Sequence, residues 1–136
     1  MAPVPQVDVI DETFLVAEPA LVGDLLRDPD RCRAWWPDLR LSVFTDRGAQ
    51  GVRWNVRGAL VGSMEVWLEA YGDGVIAHYY LRADPAAGPY ADPRRAQAEV
   101  HRRQRAAKRI FWRLKDELER DRPPGEPRRT ELPGTD

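Results

Sequence analysis

The chain has 136 residues, 43% of them apolar and 32% charged, with a formal net charge of −1. That balance fits one globular domain with its own core, and excludes a disordered polyelectrolyte or a strongly basic nucleic-acid binder. There is no apolar run of the ~20 residues that span a bilayer, no basic-then-apolar leader in "MAPVPQVDVI", and only one cysteine, Cys32, so no internal disulfide; a cytoplasmic protein is expected.

Residues 7–16, VDVIDETFLV, are rich in β-branched side chains and predict a first strand. One register groups Val7, Val9, Asp11, Thr13 and Leu15, and the other groups Ile10, Glu12, Phe14 and Val16. Either face then holds an acid among apolar neighbours. Two short helices follow. Pro19 and Pro29 suit first helical positions, and Asp28 is a good N-cap for the second helix. Leu21, Val22, Leu25 and Leu26 stripe the first helix, while Cys32, Trp35 and Trp36 stand at i, i+3 and i+4 on the second. Pro37 ends it, because a residue before proline is pushed out of the α region. Spacing alone does not say which tryptophan faces inward.

The period then changes from 3.6 to 2. LRLSVFTD (39–46), VRWNVR (52–57), SMEVWLEA (63–70) and VIAHYYLR (75–82) each alternate apolar with polar side chains. The links RGAQG, GALVG and GDG are short and contain glycine, so the four runs predict an antiparallel meander with one apolar face. ADPAAGPYADP (83–93) reads as a loop. Asp92 and Pro93 open a long helix whose apolar positions are Ala96, Val100, Ala107, Ile110, Phe111, Leu114 and Leu118. From Val100 to Leu118 that helix spans about 27 Å, enough to lie across the sheet. Residues 94–109 hold seven basic side chains against Glu99 alone, which reads as a solvated face or a contact for an acidic partner, a membrane surface or RNA. Residues 1–121 are expected to form a single α+β domain, and the proline-rich residues 122–136 a disordered tail.

The order is strand, two short helices, antiparallel meander, long C-terminal helix. It resembles the helix-grip fold of the START-related (SRPBCC) superfamily, and within it the polyketide cyclase/dehydrase and lipid-transport family. The stretches carrying the likeness are DPDRCRAWWPDL (28–39), GSMEVWLEAYGDGVIAHYYLRADP (62–85) and AAKRIFWRLKDELE (106–119). The family's sheet has seven strands and this chain shows five. The resemblance therefore implies a cavity between sheet and helix that is small or open at one side. It also leaves a sheet edge that a second copy of the chain could cover.

The same resemblance implies a hydrophobic or aromatic ligand, lipid- or polyketide-like. One tryptophan of the Trp35–Trp36 pair would line the pocket and its neighbour close the outside. Trp54, Val56, Met64, Val66, Leu68, Tyr79 and Leu81 from the strands, with Ala107, Phe111 and Leu114 from the helix, form the expected apolar wall. A cyclase or dehydratase would need a positioned acid or base. Glu12 or Tyr79 are the candidates, Glu12 if the first strand turns it inward. A third reading is a non-catalytic interaction module using the basic helix or the open sheet edge. No nucleophile elbow, P-loop, dinucleotide fingerprint or metal-ligand cluster is visible, so no cofactor or metal is expected. His78 is expected on the outer face of the sheet and His101 in solvent.

Overall fold

The computed structural model describes residues 4–120, 122 and 125–132. The elements are β1 (Val7–Leu15), α1 (Pro19–Arg27), α2 (Pro29–Trp35), β2 (Leu39–Asp46), β3 (Gly51–Gly58), β4 (Leu60–Tyr71), β5 (Gly74–Pro85) and α3 (Pro93–Glu119), with a single 3-10 turn at Gly48–Gln50. The five strands form one antiparallel sheet in the order β1-β5-β4-β3-β2. This is the α+β arrangement expected from the sequence, with α3 packed on the inner face. None of the described helices is long and apolar enough to cross a membrane.

Local chemistry starts each helix. Pro29 and Pro93 follow N-cap aspartates; Asp28 accepts from the Asp30 amide at 2.9 Å, and Asp92 from the Arg95 amide at 3.0 Å. Strands β4 and β5 are longer than the alternation suggests, and the run GALVG is not a loop. Gly58, at φ 109°, and Ala59 make the turn, and Leu60 to Gly62 already belong to β4. Gly62 is there for space: a Cβ would stand 2.2 Å from the Arg82 carbonyl oxygen and 2.8 Å from the Ala83 Cβ. Residues 83–85, read as loop, continue β5 because Leu60, Val61 and Gly62 give them partners.

The register of β1 turns Val7, Val9, Thr13 and Leu15 inward, and Asp11 with them. Lys108 of α3 neutralises Asp11 at 2.9 Å and also donates to the Glu12 carbonyl and the Thr13 hydroxyl. About two turns further on, Lys115 donates to the Phe14 carbonyl at 2.9 Å and pairs with Glu119. Two lysines thus occupy carbonyls on the free edge of β1, which solves the edge-strand problem on that side of the sheet. The other edge, β2, is uncovered but irregular. Its register slips between Val43 and Thr45, and Val43 and Phe44 are 52% and 62% exposed.

The core joins the inner face of the sheet to one stripe of α3: Ala107, Ile110, Phe111, Leu114 and Leu118 are all buried. Within the segment expected to be a disordered tail, Arg122, Arg128, Arg129 and Leu132 are half-buried. Arg129 bridges Ala17 in a short parallel pairing and accepts from the Glu18 amide, and Arg128 pairs with Glu18 at 2.9 Å. The cause is that the Arg128 side chain and the Arg129 carbonyl find partners at the start of α1, while the Arg129 guanidinium donates to the Leu118 and Arg120 carbonyls at the end of α3. The rest of that segment lies outside the described residues.

Candidate functional site

The two tryptophans take different places: Trp36 is buried in the core and Trp35 is half-buried nearer the surface. Trp36 is the C-cap of α2 and is 2% exposed, its ring parallel to Tyr79 of β5 with centroids 6.2 Å apart. Trp54 of β3 lies 6.0 Å from Trp36, and Phe111 of α3 lies 5.9 Å from Tyr79. Trp35 meets Trp36 edge-on at 5.8 Å and turns its other side toward α3 and solvent, with the Arg31 guanidinium over its ring. The line Trp35, Trp36, Tyr79, Phe111 therefore crosses the domain from α2 through the sheet to α3.

Two ion pairs fasten α2 to α3 on either side of that line. Arg31 grips Glu117 with two bonds of 3.0 and 2.8 Å. Arg103, 4% exposed, grips Asp38 with bonds of 3.0 and 2.6 Å, just beyond Pro37. The Arg103 bond holds the Asp38 carboxyl below the usual aspartate range, and the Arg31 bond does the same for Glu117. Arg103 was hidden in the basic run. The apolar stripe of α3 skips from Val100 to Ala107, and position 103 falls in that gap, so the signal was present.

The expected wall residues Val56, Met64, Val66, Leu68, Leu81 and Leu114 are all buried, none more than 3% exposed. They join Trp36, Trp54, Tyr79 and Phe111 in one continuous core. These side chains meet one another, so the space between sheet and α3 is occupied by aromatic rings. Burial raises the Tyr79 phenol well above its ordinary value, so it keeps its proton.

Open volume lies to one side of this stack. A cleft of about 250 Å3 runs between Arg27, Pro29, Cys32 and Arg33 of the short-helix pair and Leu39, Arg40, Leu41, Val43 and Trp54 of β2 and β3. Of the expected site residues, only Trp54 reaches it. The alternation of LRLSV had already placed Leu39, Leu41 and Val43 on the inner face. What alternation could not show is that β2 lies at the sheet edge, where the short-helix pair leaves a cleft over that face. Burial and the charge of Asp28 push the Cys32 thiol up to about 11, and it donates to the Leu26 carbonyl at 3.1 Å. It is a small apolar wall element, not a nucleophile. Arg27 is committed to Asp24, Asp46 and the Gly48 carbonyl, and Arg33 to Asp30. Arg40 is exposed and has no ion-pair partner among the described residues.

The remaining sequence candidate is corrected. Glu12 points out of the domain, its side chain 64% exposed, because β1 takes the register that turns Asp11 inward. There it meets Nδ1 of His78 at 3.2 Å, while Glu69 meets Nε2 at 2.9 Å and Trp67 stacks on the imidazole at 4.6 Å. His78 is on the outer face as expected, yet only 8% exposed, because Trp67 covers it. The described residues contain no cluster of metal-ligating side chains.

No family model and no curated protein matches this sequence. Solved structures do match in shape. The Aha1 dimer from Colwellia psychrerythraea superposes with a TM-score of 0.62 at 13% identity, over 86% of this chain and 99% of that one. This is the helix-grip fold. An AHSA1-like protein from Rhizobium etli shares the helix-grip architecture at a TM-score of 0.52 and 18% identity, over 91% of each chain. DynU16, described as a putative protein in the dynemicin biosynthetic locus, matches at 0.57 and 15% identity over 83% of this chain and 47% of its own. In the five-strand sheet β2 is an edge strand and forms one rim of the cleft.

Proposed function

We propose that this helix-grip protein, acting in the cytoplasm, binds a hydrophobic or aromatic small molecule of lipid or polyketide type. The observation that supports this most directly is the cleft beside the aromatic stack. Pro29, Cys32, Leu39, Leu41, Val43 and Trp54 give it an apolar lining, and three arginines stand around it. At about 250 Å3 it takes one ring system or a short acyl segment rather than a whole lipid. Arg40, without an acid of its own, suits a ligand that carries an anionic group beside its apolar body. Catalysis loses its named participants: Glu12 faces solvent and Tyr79 is sealed in the core.

Anilinonaphthalene sulfonate, an apolar dye with one anionic group, tests the reading. It should quench tryptophan emission saturably, since Trp54 forms part of the cleft wall. Leu41→Glu, a half-buried position at the rim, should abolish that quenching while leaving the thermal midpoint within a few degrees. Saturable binding that survives Leu41→Glu would place the ligand elsewhere, and an absence of saturable quenching would remove the proposal.

A further inference from the structure

We propose that the exposed face of α3 docks this protein on an anionic lipid bilayer. The helix runs 27 residues, about 40 Å, along the outside of the domain. Arg94, Arg105, Arg109, Trp112 and Asp116 fall within a sector of about 60° at 3.6 residues per turn, with Arg95, Arg102 and Arg113 along one flank. Arg94, Arg95, Arg105, Arg109 and Arg113 are exposed and form no ion pair among the described residues. Of the acids of α3, Glu99 is held by Arg102 and Arg103, Glu117 by Arg31 and Glu119 by Lys115, which leaves Asp116, exposed within the sector, as the one carboxylate of the helix set against them. Five guanidiniums without an ion pair among the described residues are thus spread over about 29 Å of the helix.

An aromatic side chain stands in the middle of this charge. Trp112 is 58% exposed, with the Lys108 ammonium 5.9 Å over its ring. A second tryptophan, Trp35, walls a shallow groove of about 220 Å3 between α2 and α3, and Arg109 and Arg113 form its lip. Basic side chains with an amphipathic indole match the headgroup layer of a membrane, where cations meet phosphates and the ring sits at the apolar boundary. The shape favours a plane over other polyanions. One exposed indole is not the row of stacking platforms that single-stranded nucleic acid needs, and the acidic overall charge does not favour a duplex.

The test uses the full chain and sedimentation with phosphatidylcholine vesicles, with and without phosphatidylserine. The protein should pellet only with the anionic vesicles and be released by salt. Arg105→Ser/Arg109→Ser/Arg113→Ser should weaken binding roughly a hundredfold, at about fivefold for each residue near the surface. Its melting curve should match the parent, since these side chains have no partners to lose. Arg57→Ser, an exposed change on the sheet, should leave binding as it was. Trp112→Ser should weaken vesicle binding and reduce quenching by brominated lipid. Failure to pellet with anionic vesicles overturns the proposal, as does equal pelleting of the triple variant or an Arg57→Ser loss as large per residue. Retention on RNA or polyglutamate without vesicle binding also overturns it, in favour of those partners. None of these outcomes depends on the cleft being a ligand site.

Discussion

Asp38→Asn isolates the ion pair that holds the tryptophan turn to α3. The amide keeps a similar shape and one acceptor, but leaves Arg103, 4% exposed, without its counter-charge. Removing one partner of a fully buried pair costs about 3–5 kcal/mol. Asp38 is 40% exposed, and Glu99 lies 3.4 Å from Arg103 Nε, so water and a second acid screen the loss. About 2 kcal/mol remains. At roughly 3 °C per kcal/mol for a domain of this size, the midpoint should fall by about 6 °C near neutral pH. The difference should depend on pH in one direction. The folded state holds the Asp38 carboxyl below its ordinary value, so its stabilisation is complete above the unfolded value of about 4 and is lost as pH falls through the folded one. Calorimetric melts of both proteins should therefore converge in strong acid. A shift under 1 °C at neutral pH, or a gap that persists undiminished in strong acid, would refute the reasoning.

The tryptophans should be unequal. Trp36→Ala removes a ring buried between Tyr79 and Trp54 and should cost about 3–5 kcal/mol in urea unfolding, whereas Trp35→Ala loses an edge contact and a cation–π contact, about 1 kcal/mol. Equal losses would show that the division of the pair is wrong. Cys32, with its thiol raised to about 11, should carry about a hundredfold less thiolate at mildly alkaline pH than an unshifted thiol. Iodoacetamide should therefore react slowly with the native protein and quickly after unfolding. Prompt labelling of the native state would contradict the buried placement.

Most of the architecture was legible because the residues repeat their signals. Alternation in LRLSV, VRWNV and VIAHYYL, proline at three helix starts and the heptad-like stripe of α3 all point to one arrangement. The inner face of the meander followed directly, as did the burial of Trp54, Tyr79 and Phe111. What alternation cannot encode is who covers that face. Leu39, Leu41 and Val43 carry the same pattern as Val66 and Leu68, yet β2 lies at the sheet edge and its inner face becomes a cleft wall. Glu12 and Asp11 were interchangeable in sequence. The choice between them came from Lys108, ninety-odd residues away, whose ammonium can neutralise the acid that turns inward. Arg103 was obscured by its neighbours, since a buried cation inside a basic run differs from them only in phase.

The slip in β2 has a consequence for crowded conditions. A strand seeking to join an open sheet needs an unbroken row of donors and acceptors in phase. Between Val43 and Thr45 that row loses step, and Phe44 is turned onto the Arg53 guanidinium. An incoming strand could match one half of β2 but not both. The chain thus keeps a bare, partly greasy rim for a small guest while denying a neighbouring molecule the continuous template on which fibrils grow.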